Sequence, residues 1–288
     1  VGSLGTILTA AVTPFAADGS VDERAFVALL EHLAENGSDG VVVCGTTGEA
    51  STLSDAEHLR VIELAVTERP QQLTVIAGVG SNDTRHAVEL TEKACSLGVD
   101  GLLSVNPYYN RPSRAGIIAH YREVVAAADR PIILYNIPQR TGSDMDNELL
   151  AELGQLDHIS AVKQANNDNL ALVDGLELYA GNDDVLASVL GMGGAGGILV
   201  ASHVVGPQMR AMADSRDDHG RLADLHRDIA PVFKALSIAP AAVTTKAALH
   251  LMGIEAGGPR LPYVPLNDEE IRQVHDMLEA RGLLAATA

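Results

Sequence analysis

Thr74-Val75-Ile76-Ala77-Gly78-Val79 begins a stretch that ends at Gly101-Leu102-Leu103-Ser104-Val105, and residues 84–97 between them carry a helical repeat. The two flanks are near-continuous apolar runs. Such runs suit parallel strands covered on both faces. In the middle, Ala87, Leu90, Ala94 and Leu97 share one helical face, and Glu89 and Lys93 pair four apart on the outer side. Strand, helix and strand in this order make a unit whose helix packs back on a parallel sheet.

The same alternation continues in both directions. β-rich runs lie at 6–12, 40–44, 74–79, 101–105, 131–135, 159–163, 176–180 and 197–201. Residues 22–35 and 54–67 repeat the helical spacing, and the second begins with a capping box, Ser54-Asp55-Ala56-Glu57. Eight β-then-α units in series predict an α/β fold, a (β/α)8 TIM barrel. A doubly wound open sheet is the structural rival, but it has fewer strands and a phosphate turn after the first. Here the first strand runs into Thr13-Pro14-Phe15 instead. After about residue 217 the strands stop, and 221–236, 240–252 and 267–280 read as helices. The expected organisation is a catalytic barrel over 1–220 and a C-terminal helical extension over 221–288.

Composition narrows the function classes. The chain has 288 residues, 47% hydrophobic and 20% charged, enough for a large core. A formal net charge of −18 argues against nucleic acid or an anionic membrane as partner. No apolar run reaches the roughly 18 residues that a membrane span needs. The first residues lack a basic segment followed by an apolar one, so a secretory signal is not expected. Cys44 and Cys95 read as two buried thiols, which suits a reducing cytoplasm.

Barrel enzymes carry their chemistry on the loops that follow the strands. Gly45-Thr46-Thr47-Gly48-Glu49 follows the second strand and Asn106-Pro107-Tyr108-Tyr109-Asn110 the fourth. Tyr135-Asn136-Ile137-Pro138-Gln139-Arg140-Thr141-Gly142 follows the fifth and Gly181-Asn182-Asp183 the seventh. Lys163 closes the sixth. It is one of only four lysines, with Lys93, Lys234 and Lys246. A lysine at the mouth of a buried strand carries a desolvation cost, which also lowers its pKa. A neutral amine can attack a carbonyl and form a Schiff base, which arginine cannot do. Three of the six tyrosines and a pair of threonines fall at the same end, so the amine sits in a hydroxyl-rich pocket. A tyrosine can move the protons that carbinolamine dehydration needs. Arg140 is suited to a bidentate grip on a carboxylate.

Other features have plainer readings. Lys93 and Lys234 read as solvated helix charges, and Lys246, after Thr244-Thr245, is the rival amine. Tyr108 and Tyr109 have interface packing as an alternative role. Residues 191–197 contain a formal GxGxxG, but it precedes a strand, so close packing at a helix-to-strand turn is expected. Asp183-Asp184 reads as a helix N-cap ahead of a metal site, and the ten histidines show no metal-pair spacing. No metal is expected.

The loop motifs, together with Thr9-Ala10-Ala11-Val12-Thr13-Pro14-Phe15, Pro107-Tyr108-Tyr109-Asn110-Arg111-Pro112 and Val162-Lys163, resemble the dihydrodipicolinate synthase family, within the N-acetylneuraminate lyase superfamily. The resemblance spans essentially the whole chain. It implies a lyase that condenses pyruvate with L-aspartate 4-semialdehyde in diaminopimelate and lysine biosynthesis. It implies no separate cofactor, only a covalent pyruvate imine on Lys163. Tyr135 is then the acid/base, and Thr46 links it to Tyr109, which reaches in from a neighbouring subunit. Thr47 holds the pyruvate carboxylate, and Arg140 binds the carboxylate of the semialdehyde. Backbone near Gly181 and Ile198 lines the pyruvate pocket. The implied assembly is a homotetramer, a dimer of dimers. The alternative is another pyruvate-dependent class I aldolase, of the 2-keto-3-deoxy sugar acid or N-acetylneuraminate lyase type. Thr46-Thr47 and Arg140 favour the synthase over these. A non-catalytic sensor on a barrel scaffold is the third reading, disfavoured by the intact Lys163, Tyr135, Thr46 and Tyr109. His58, Asn82 and Tyr108 match the lysine feedback site of inhibited members. Asp55 stands where a histidine is expected and His86 where a glutamate is expected, so inhibition by lysine is expected to be weak or absent. Gln164 stands where many members carry an acid.

Overall fold

The eight apolar runs pair edge to edge and close into a barrel in strict chain order. They are β1 (Ile7–Ala10), β2 (Gly40–Val43), β3 (Thr74–Gly78), β4 (Gly101–Val105), β5 (Ile132–Asn136), β6 (Ile159–Gln164), β7 (Glu177–Ala180) and β8 (Gly196–Leu199). Every neighbouring pair is parallel, and β8 returns to β1 with Ile7 opposite Gly197. The structure is a computed structural model, and it describes residues 2–285. The helices are α1 (Glu23–Glu35), α2 (Asp55–Glu68), α3 (Thr84–Leu97), α4 (Arg114–Ala126), α5 (Pro138–Thr141), α6 (Asn147–Leu153), α7 (Leu186–Gly191) and α8 (Ser202–Asp214). Then come α9 (His219–Leu236), α10 (Ala241–Leu251) and α11 (Asp268–Glu279).

Alternate strand residues point to opposite faces, so each strand feeds two apolar layers. Leu8, Val42, Ile76, Leu103, Ile133 and Ile198 fill the barrel interior. Val41, Val75, Leu102 and Leu134 face outward and join Leu29, Ile62 and Ala87 of the surrounding helices. With both faces covered, the strands need no polar alternation. At the closing seam a Cβ on Gly196 would collide with the Thr6 carbonyl, so the glycine-rich turn before β8 serves close packing.

Several elements differ from expectation, each for a local reason. β1 and β2 are shorter than 6–12 and 40–44. Cys44 adopts a left-handed φ of 54°, which ends β2. β8 stops at Leu199 rather than 201, because the N–H groups of Val200 and Ala201 donate to the Asp183 carboxylate and not to the sheet. β6 runs one residue past Lys163, where Gln164 pairs with Asn136 on β5. The eight-unit reading is also too regular. The link from β6 to β7 holds only a 3-10 turn, Asn167–Asn169, capped by Asn166 Oδ1, which accepts from the Asp168 N–H, and tied to the loop after β7 by Asn182 Nδ2, which donates to Asn167 Oδ1.

The C-terminal helices form as expected, with α9 beginning slightly before 221. Residue 1 and residues 286–288 of the two expected regions lie outside the described residues. Val232, Phe233, Val243, Leu249, Val274 and Leu278 belong to the same apolar cluster as the outer barrel layer. Among the described residues no single helix is long and apolar enough to cross a membrane. α9 and α10 pass that test only as a pair, bent by 109°, and their apolar residues are packed in the shared core.

Candidate active site

Lys163 stands opposite Tyr135 on β5 and Tyr179 on β7. Its side chain therefore rises at the C-terminal end of the barrel, with Nζ 4.3 Å from the centre of the Tyr135 ring. It is 6% exposed. Burial lowers its pKa to about 8, with the Asp183 carboxylate opposing the shift and the Arg140 guanidinium adding to it. Roughly a tenth of the amine is then neutral at pH 7. Burial pushes the Tyr135 phenol up to about 12, against the charge of Arg140 and a hydrogen bond with Thr46. Tyr135 is thus a protonated donor at rest.

Backbone geometry sets the remaining groups. β5 ends at Asn136, and Pro138, at the first position of the four-residue α5, presets the turn. Gly142 closes α5 at a left-handed φ of 75°, leaving Arg140 in the last turn. The loop after β2 is bracketed by Cys44 and Glu49, both at φ 54°. A left-handed non-glycine residue costs about 1–2 kcal/mol, so something must hold it. Thr13 Oγ1 donates to the Gly48 carbonyl at 2.7 Å, and the Glu49 N–H donates to the Thr46 carbonyl at 3.1 Å. A cavity of about 650 Å³ has Lys163, Tyr135, Thr46, Thr47, Arg140 and Gly181 among its walls.

Two expected residues stand apart from this group. Tyr109 is 89% exposed at a left-handed φ of 72°. The Ile198 side chain is packed in the barrel interior, and Val200, two residues on, has atoms in the cavity wall.

A family model for the dihydrodipicolinate synthetase family matches residues 3–281. The chain belongs to the dihydrodipicolinate synthetase family. It is 41% identical over 284 residues to 4-hydroxy-tetrahydrodipicolinate synthase 2 of Halalkalibacterium halodurans, covering 96% of this chain and 97% of that one. The chloride-inhibited dihydrodipicolinate synthase of Acinetobacter baumannii, solved in complex with pyruvate, superposes with a TM-score of 0.94 at 34% identity, over 98% of this chain and 100% of that one. The Cyanidioschyzon merolae enzyme, solved with lysine bound, superposes with a TM-score of 0.91 at 37% identity, over 98% of this chain and 99% of that one.

Around the site of this dihydrodipicolinate synthetase family member, other residues take part that their sequence context did not reveal. Asp183 was expected to cap its own turn. Instead its Oδ1 accepts from the N–H groups of Val200 (3.1 Å) and Ala201 (2.9 Å), holding the start of α8 from the loop after β7. Burial raises its carboxyl pKa, while those donors and Lys163 oppose the rise. Its partners lie too far along the chain for any local pattern to signal them. Lys234 is exposed, as a solvated charge should be, but it also lines the cavity, with His226 and Tyr263. Lys246, the rival amine of the sequence, lies outside the cavity wall and is engaged elsewhere: its Nζ donates to Glu49 Oε1 at 2.7 Å and to the Gly258 carbonyl at 3.1 Å. Among the described residues, the side chains with metal-ligand spacing are His275, Asp276 and Glu279 on α11, not Asp183 and Asp184. Of the positions compared with a lysine site, Asp55 and His86 meet each other, while His58 bonds to backbone. His86 Nε2 lies 3.2 Å from Asp55 Oδ1, and His58 Nε2 donates to the Gly78 carbonyl at 2.8 Å.

Proposed function

We propose that the protein condenses pyruvate with L-aspartate 4-semialdehyde, the reaction of 4-hydroxy-tetrahydrodipicolinate synthases, in diaminopimelate and lysine biosynthesis. The observation that carries this reading is the buried Lys163 amine against Tyr135 in a cavity that also holds Arg140. In the first step neutral Lys163 Nζ attacks C2 of pyruvate. The carbinolamine hydroxyl leaves as water with a proton from Tyr135, giving the protonated imine. The Tyr135 phenolate then takes a methyl proton, and the C–H electron pair moves into the cation to give the enamine. The enamine carbon attacks the aldehyde, and the new alkoxide takes the proton back from Tyr135. The semialdehyde ammonium returns a proton to the Tyr135 phenolate, its nitrogen attacks C2, and the C2–Nζ bond breaks to give the cyclic imine, one proton passing to the departing Lys163 amine and one to solvent. Thr47 holds the pyruvate carboxylate, Arg140 grips the semialdehyde carboxylate, and backbone around Gly181 and Ile198 shapes the pyruvate pocket.

Thr46 relays protons between Tyr135 and Tyr109 of a second copy. The outward, exposed setting of Tyr109 supports a site completed across an interface, in a dimer of dimers. No cofactor is required beyond the imine. Cys44 and Cys95 are both free, in keeping with a cytoplasmic enzyme.

Borohydride reduction in the presence of pyruvate, followed by peptide mass mapping, is expected to label Lys163. A label on Lys246, or none, overturns the mechanism. Arg140→Ala is expected to lower kcat/KM for the semialdehyde about 100-fold, the loss of a bidentate charged contact, while trapping of pyruvate persists. Undiminished semialdehyde turnover in that variant would instead favour a sugar acid substrate.

A further inference from the structure

Glu49 and Lys246 form an ion pair with side chains 0% and 1% exposed. Neither lines the cavity, and the mechanism above uses neither. An ion pair this deeply buried contributes little net stability against an apolar pair of similar size. Its geometry gives a different reason for it. Glu49 closes the loop that carries Thr46 and Thr47, and does so in a left-handed conformation. One carboxylate oxygen accepts from Lys246 Nζ at 2.7 Å, and the other accepts from the Arg260 N–H at 2.9 Å. Lys246 Nζ also stands 4.0 Å from the centre of the Phe15 ring, on the loop after β1. Lys246 belongs to α10, whose first turn lines the cavity with Ala241 and Ala242. One helix therefore touches the cavity at its start and anchors the threonine loop from behind.

We propose that the Glu49–Lys246 pair is a positioning device through which α10 holds Thr46 in register with Tyr135 for proton transfer. Both residues are positioning residues, since neither touches the reacting atoms. The inference rests on the catalytic reading given above. It predicts that loosening the pair slows methyl proton exchange, while the amount of imine at equilibrium, which borohydride traps, stays near that of wild type because a proton relay changes rates and not that equilibrium.

The test uses the full-length wild-type chain, Glu49→Gln, Lys246→Met and the double variant Glu49→Gln/Lys246→Met. Three quantities are read: borohydride trapping of pyruvate on Lys163, exchange of pyruvate methyl protons into deuterated water without aldehyde, and Tm. Lys246→Met leaves a buried carboxylate unpaired, so its Tm falls. Glu49→Gln keeps one oxygen to accept from the Arg260 N–H and turns its amide N–H toward Lys246 Nζ, which can accept once it sheds a proton, so the variant folds. The double variant removes the uncompensated charge and regains most of the Tm. Methyl exchange is expected to stay at least tenfold down in the double variant and several-fold down in Glu49→Gln, with trapping within threefold of wild type. If the double variant regains exchange along with Tm, or if Glu49→Gln exchanges at the wild-type rate, the pair only stabilises and the inference fails. Absence of trapping in the wild-type chain overturns the functional reading, and this inference with it.

Discussion

Lys163 gains reactivity from its surroundings, and those surroundings give its pH response a definite sign. Only the unprotonated amine attacks, and burial sets its pKa at about 8. The rate of imine formation is therefore expected to rise about tenfold per pH unit below that value and level off above it. Asp183 opposes the shift, because its carboxylate favours the ammonium form. Asp183→Asn keeps an oxygen to accept from Val200 and Ala201 but removes the charge. The break in the profile should then move down, measured by trapping rate against pH. A break that stays in place or moves up would show that Asp183 does not set the amine. Lys163 was legible in the sequence because a lysine ending an apolar run is conspicuous. Asp183 was not, because its contacts join loops from different strands.

Elements explain which parts of the expected pattern held. The strands were readable because burial on both faces leaves a continuous apolar run. Their ends were less readable, since a left-handed Cys44 and a side-chain acceptor on another loop cut β2 and β8 short. Gln164 shows the same limit. Its Oε1 accepts from Asn136 Nδ2 and from the Asn166 N–H, both at 3.0 Å, and its Nε2 donates to the Asn169 carbonyl at 3.4 Å. A carboxylate at this position could not make that last bond, so the amide fits the helix-free link from β6 to β7. The first turns of two helices carry the positions on which the expected weak response to lysine rests. Asp55 is the first residue of α2 and His86 lies in the first turn of α3, and their side chains meet each other. No glutamate remains there to take a lysine ammonium. Calorimetric titration with lysine is expected to give no binding tighter than about millimolar, a weak class of affinity. A micromolar isotherm would refute this, and H86E is expected to strengthen binding.

The whole molecule carries a formal net charge of −18, yet both proposed substrates bear carboxylates. Substrate must therefore reach the cavity against a repulsive mean field, which makes local cations along its path important for association. Arg140 is already assigned to the bound semialdehyde. Lys234, exposed on the last turn of α9 and lining the same cavity, is the cation placed to attract substrate before it binds. Its expected contribution is to the approach and not to the reacting geometry. Lys234→Glu is expected to lower kcat/KM for pyruvate by about tenfold at low ionic strength and to leave kcat unchanged. Screening shortens the reach of the charge to about 3 Å at 1 M salt, so the deficit should shrink steadily as salt is added. Steady-state kinetics from about 0.01 M to 1 M salt measure this directly, provided wild type is titrated alongside to correct for general salt inhibition. A deficit equal at every salt concentration, or one that appears in kcat, would mean that Lys234 contacts bound substrate instead of guiding it in.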